Sequence, residues 1–192
     1  LVTKSDGTKF GKTESGTIWL DEKKTSQYAF YQFWINTADA DVYKFLRFFT
    51  FLNEAKMLAI EEQDRAAQGK PEAQSILATE VTRLVHGEKG LQAALRISEA
   101  LFSGQLEQLT KEDLQQLYLD GMPASQTSKK SITLVQVLVD SGLAKSNKMA
   151  REFIVNNAVS VNGDKVSDLD AVLTPFLGLQ GEYHVIKRGK KL

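Results

Sequence analysis

Two lysines flank a glycine near the start of the chain, in Lys9-Phe10-Gly11-Lys12-Thr13, within a polar turn. That pattern suits phosphate oxygens. Glycine lets the backbone approach an anion closely, and each ammonium is a compact charge with three donors on a flexible stem, able to follow a phosphate as its charge redistributes. An exposed basic turn is the alternative these residues leave open. A Walker phosphate loop is excluded, because it needs four residues between its glycines and a strand leading in, whereas Gly7 and Gly11 have three between them. Only eight residues precede Lys9, too few to build the nucleotide-binding fold that such a loop would serve.

A second set of cations gathers towards the other end. Lys145, Lys148 and Arg151 lie around the start of a short helical pattern, and Lys187, Arg188, Lys190 and Lys191 stand close together at the terminus. Residues 131–192 hold eight basic and six acidic side chains, against sixteen and eighteen in residues 1–130. Over the whole chain 24 Lys and Arg balance 24 Asp and Glu, so only these local faces point to nucleic acid. Phosphate backbones are bound by such clusters, and a helix start beside a hairpin suits recognition of folded RNA by shape. A solvated terminus is the alternative for the tail.

Other chemistry finds little support. His86 and His184 have no partner at metal-ligand spacing, no metal site is expected, and no nucleophile–base or carboxylate pair stands out. The absence of cysteine excludes disulfides and thiolate sites and fits a reducing, cytoplasmic setting. No apolar run approaches the roughly 18 residues of a membrane helix. The chain opens on Leu1 with no signal-peptide pattern and reads as an excised part of a longer protein.

The elements that must position these residues fall into three parts. Residues 1–36 read as loop and short extended pieces that pack on something larger, with the aromatic run Tyr28, Phe30, Tyr31, Phe33 and Trp34 expected in an interdomain core rather than stacked on bases. From Asp39 the spacing of Val42, Phe45, Leu46, Phe49 and Leu52 predicts a helix, with Thr37 or Asp39 as N-cap. A second helix is expected over 54–67. A third has Pro71 in its first turn and an apolar face of Ile76, Leu77, Val81, Leu84 and Val85, ending at His86-Gly87. The fourth carries Leu91, Leu95, Ile97, Leu101 and Phe102 as far as Ser103-Gly104. A fifth starts at Thr110, where Thr110 and Asp113 form a capping-box pattern and Leu114, Leu117 and Tyr118 supply the buried side. Residues 122–131 are polar and read as a linker. Helices near 133–141 and 146–157 follow, then a strand at 159–161, an Asn162-Gly163 hairpin turn, a return strand at Val166 and a closing strand over 183–187.

Taken together these pieces closely resemble the bacterial tyrosyl-tRNA synthetases. The resemblance runs through the Lys9 to Thr13 loop, Gly16, Trp19-Leu20, Thr25-Ser26, Tyr28, Phe30 to Trp34, Asn36, Asp39, Asp41-Val42 and Phe45-Leu46. It continues through Val81 to Gly87, Leu101 to Gly104 and Arg188 to Lys191, covering in effect the whole chain. Leu138, Gly142 to Ala144, Ser146, Ala150-Arg151, Ile154, Asn157, Val159, Val161 to Gly163 and Val166 also resemble a small RNA-binding module of a ribosomal protein and some pseudouridine synthases.

The resemblance implies a mainly α fold: the end of a class I catalytic domain (1–36), a helical anticodon-binding bundle (37–121), the linker (122–131), and a small α+β RNA-binding domain (132–192) of two helices and a short sheet. It makes Lys9 to Thr13 the mobile Lys-Met-Ser-Lys-Ser-type loop, with Lys12 on ATP and Lys9, Gly11 and Thr13 assisting. It gives the parent enzyme tyrosine, ATP and tyrosine tRNA as partners, and a homodimeric state. Neither histidine lies in the His-x-Gly-His-type signature such enzymes carry, so the isolated chain is expected to be inactive, its lysines idle and mobile. Gln27 stands where the family usually has proline. A free-standing RNA-binding protein sharing only the last module is the alternative.

Overall fold

The computed structural model describes residues 2–13, 16–67 and 71–189; for Lys12, Thr13 and Gly16 it describes the backbone alone. The chain divides into two units, Leu1–Leu95 and Arg96–Leu192.

In the first unit a small antiparallel ladder joins β1 (Lys12–Thr13) to β2 (Gly16–Thr17), pairing Lys12 with Thr17. The aromatic run, expected as extended chain, is instead helix α1 (Gln27–Ile35), capped by the Ser26 hydroxyl, which accepts from the Ala29 N–H at 3.0 Å. Apolar residues surround this helix on nearly every side, so the run carries no clear helical period. Phe30, Tyr31 and Trp34 are buried, as expected of a core rather than a stacking platform. α2 (Asp39–Phe49) presents Val42, Phe45 and Leu46 to the same core. Its N-cap is Ala38, which makes no side-chain cap bond; Asp39 accepts from Gln74 Nε2 at 2.6 Å instead.

α3 (Glu54–Ala66) begins where expected, capped by Asn53. α4 (Ala73–Ser103) runs through both expected helices, but Gly87 inside it has φ 69° and ψ 179°, a break at the expected place. Pro71 lies ahead of the helix rather than in its first turn. The helix start is capped from α3, where Asp64 accepts from the N–H groups of Glu72 (2.7 Å) and Ala73 (3.2 Å). Leu84, placed by its spacing on the apolar face, is 56% exposed.

The second unit takes the last residues of α4, a 3₁₀ turn at Leu106–Gln108, α5 (Lys111–Gln116) and a π turn at Leu117–Gly121. The Thr110–Asp113 capping box is present in both directions. Tyr118, expected on the buried side, is 49% exposed. Strand β3 (Ile132–Thr133) pairs with β6 (Val172–Leu173). Helices α6 (Leu134–Asp140) and α7 (Asn147–Val155) pack with a second sheet of β5 (Asp164–Lys165), β4 (Val159–Val161) and β7 (Ile186–Arg188), in that order. Leu134, Leu138, Ala150, Ile154 and Val159 form its core. The architecture is mainly α with a small sheet.

The turn from β4 to β5 is Asn162-Gly163, with φ 52° and 98°, the double positive φ of the tightest hairpins. Gly163 is required twice, since a Cβ there would lie 2.3 Å from the Gly104 carbonyl oxygen.

Candidate functional site

The phosphate-loop candidate stands on a built base. Thr3 and Lys9 form an antiparallel bridge, the Lys4 N–H donates to Thr8 O (2.9 Å), and the Phe10 N–H donates to Val2 O (3.1 Å). Asp6 closes the turn between them by accepting from both the Thr8 hydroxyl (2.6 Å) and N–H (2.8 Å). These bonds, the hydroxyl's first, hold the Asp6 carboxyl below its ordinary range. Gly7 and Gly11 both take positive φ, 83° and 82°. Lys9 is exposed, while the Phe10 ring between the two lysines lies 4.8–5.5 Å from the rings of Phe33, Trp34, Phe45 and Phe49. The side chains of Lys12 and Thr13 lie outside the described residues.

Beyond the loop, the Thr25 hydroxyl accepts from the Trp19 N–H at 2.9 Å and Ser26 caps α1, so both hydroxyls are buried for structural reasons. Gln27 opens α1, a position that suits proline's fixed φ, and donates to Glu22 at 2.7 Å.

At the other end, Ser146 caps α7 by accepting from the Met149 N–H (3.3 Å). Lys145 just precedes the cap, while Lys148 and Arg151 stand three apart on the helix; all three are exposed. No acidic residue offsets them in the first turn. Lys148, in the first turn, opposes the helix dipole at a cost of about 0.3–1 kcal/mol, a local conflict that a bound polyanion would reverse. Arg188 is engaged elsewhere: its Nη1 donates to the Leu143 carbonyl and its guanidinium lies 5.0 Å from the Phe153 ring centroid of α7. Lys187 is half-buried opposite Ser160, whose other neighbour across the sheet is Lys165. The register thus sets Lys165 and Lys187 on one face, flanking a cleft of about 220 Å³ that Leu101 to Gly104 also line. No local sequence signal points to Lys165, because it lies 22 positions before Lys187 and the ladder joins them. Lys190 and Lys191 lie outside the described residues.

Both histidines make contacts within the fold. His184 Nε2 lies 2.9 Å from the Thr174 carbonyl, and His86 meets the Phe30 ring edge-on at 4.8 Å, its basicity lowered by burial. Among the described residues no helix is long and apolar enough to cross a membrane.

Comparison with known proteins fits this geometry. The family described as tRNA synthetases class I (W and Y) matches residues 1–103, more than half of the sequence. The chain therefore belongs to the class I tRNA synthetases of the tryptophan and tyrosine type. Within that class it falls with the tyrosine–tRNA ligases: residues 113–192 match the tyrosine–tRNA ligase SYY-like C-terminal domain. It is similar to the tyrosine–tRNA ligases of Aliivibrio fischeri strain MJ11, 67% identical over 192 residues, and of Dechloromonas aromatica, 59% identical over 191 residues. Each alignment covers 100% of this chain and 45% of the relative, so the chain spans less than half the length of these proteins.

Proposed function

We propose that this chain holds tyrosine tRNA for a tyrosine–tRNA ligase and carries the loop that steadies ATP phosphates during tyrosine activation. The observation that carries the reading is the exposed Lys145, Lys148 and Arg151 around an α7 start that bears no acidic residue in its first turn. Lys187, Lys190 and Lys191 add to this charge, and Arg188 supports it by packing β7 on α7. Residues 1–36 serve as the end of the catalytic domain, 37–121 as the anticodon-binding bundle, 122–131 as the linker and 132–192 as the RNA-binding domain. Lys12 meets ATP, with Lys9, Gly11 and Thr13 assisting. The parent enzyme is a cytoplasmic homodimer, and the chain alone supports no tyrosine-dependent exchange of pyrophosphate into ATP.

Binding of tyrosine tRNA to the chain tests the first part. Charge reversal at Lys145, Lys148 and Arg151 lowers the affinity and flattens its dependence on salt, by about one unit of log–log slope for every phosphate no longer neutralised. Unchanged affinity and slope would refute the basic-face reading. A free-standing RNA-binding protein sharing only the last module is disfavoured, because the similarity extends over all 192 residues.

A further inference from the structure

Asp41 is a carboxylate in the first turn of α2, only 2% exposed. Its two oxygens are both directed to one residue of the loop segment: Oδ1 accepts from the Ser5 N–H at 2.9 Å and Oδ2 from the Ser5 hydroxyl at 3.1 Å. One turn along α2, Lys44 lies 3.7 Å from Oδ1 and donates to the Thr3 carbonyl. Thr3 is bridged to Lys9, and Val2 to the Phe10 N–H. α2 therefore grips the first strand of the loop base at Thr3 and Ser5, and that strand sets the register of Lys9 and Phe10. From the other side Phe10 is held by rings of α1 and α2.

Burying a carboxylate costs several kcal/mol, and a well-packed apolar residue in its place is often no less stable. What the carboxylate supplies here is a fixed register, through two acceptors that a methyl group cannot offer. A phosphate-steadying lysine acts only at the transition state, where a displacement of about 1 Å can cost on the order of a hundredfold in rate. We infer that Asp41, through Ser5, is a positioning residue for the phosphate loop, fixing Lys9 and the turn into Lys12. This rests on the reading of Lys9 to Thr13 as that loop.

The test uses the full-length ligase of which this chain forms part, measuring tyrosine-dependent pyrophosphate–ATP exchange for Asp41→Ala, Asp41→Asn, Lys12→Ala and the double variant Asp41→Ala/Lys12→Ala. Asp41→Ala lowers kcat by about tenfold or more with KM for tyrosine unchanged. Asp41→Asn recovers most of the loss, since its carbonyl still accepts from the Ser5 N–H and its amide can donate to the Ser5 hydroxyl. The double variant is no slower than Lys12→Ala within about twofold, because both changes disable one device. Should Asp41→Ala fail to fold, Ser5→Ala gives the same pattern with a smaller loss. Full multiplication of the two effects, or an unchanged kcat in Asp41→Ala while Lys12→Ala is slow, overturns the inference alone. An unchanged rate in Lys12→Ala overturns the loop reading and the inference with it.

Discussion

Arg96 and Asp113 form a pair whose two ends differ in their access to water. The arginine side chain is 38% exposed and the aspartate 1%. Arg96 Nε and Nη2 each donate to a separate Asp113 oxygen at 2.7 Å, and the Thr110 N–H donates to the same carboxylate at 3.0 Å. Removing each partner should therefore cost a different amount. Asp113→Ala deletes the buried charge and half of the capping box, but frees a guanidinium that can turn into water, so the loss is about 1–2 kcal/mol. Arg96→Met strands a buried carboxylate on one remaining N–H bond from Thr110, and the loss is about 3–5 kcal/mol. The pH dependence separates the two further. In the native chain burial pushes the Asp113 carboxyl up, but the Arg96 hydrogen bonds, the Thr110 N–H and the Arg96 charge outweigh it, so the group titrates below the ordinary aspartate range. A depressed folded pKa means the stabilisation is complete above the unfolded value and fades as pH falls through the folded one. In Arg96→Met burial is far less opposed, the carboxyl protonates more readily, and the deficit against the native chain narrows on going from pH 7 towards pH 3. Urea denaturation of the chain followed by far-ultraviolet circular dichroism measures both effects. A loss in Arg96→Met no larger than in Asp113→Ala, or a deficit independent of pH, would refute the argument.

Two further changes probe single interactions. Gly163→Ala must adopt positive φ and place a methyl 2.3 Å from the Gly104 carbonyl oxygen; a loss of about 2–4 kcal/mol is expected in the same denaturation assay. Asp64→Ala strips the cap from α4 and the acceptor of the Tyr43 hydroxyl (2.9 Å), at a cost of about 1–3 kcal/mol, while Asp64→Asn, keeping one carbonyl acceptor, loses less.

How much of this fold is legible in the sequence depends on how far a signal reaches along the chain. The Thr110–Asp113 box, the start of α3 after Asn53, the break at Gly87 and the Asn162-Gly163 turn are each decided within a few residues, and each is found where its local chemistry puts it. The aromatic run reads as extended, and is not, because a helix apolar all round shows no period. The cap of α4 has no local signature because Asp64 belongs to another helix, eight residues before Glu72. The functional faces follow the same rule. Lys148 and Arg151 are neighbours through helical spacing and are legible, whereas Lys165 with Lys187, and Asp41 with Ser5 36 residues away, meet only through a ladder register and a helix packing that no local pattern encodes. Arg188 reads as one more free cation, and only the fold shows its guanidinium engaged with the Leu143 carbonyl and the Phe153 ring.

As a sequence, Lys9 to Thr13 reads as a short basic turn with nothing local to hold it. Yet the base of the loop is fastened within this chain: to α2 by Asp41 and Lys44, and to α1 and α2 through the Phe10 ring. Four aromatic pairings of about 0.5–1.5 kcal/mol each, together with a doubly bonded carboxylate, are strong relative to the forces on a short exposed turn. Residues 2–10 should therefore keep their register without a bound nucleotide.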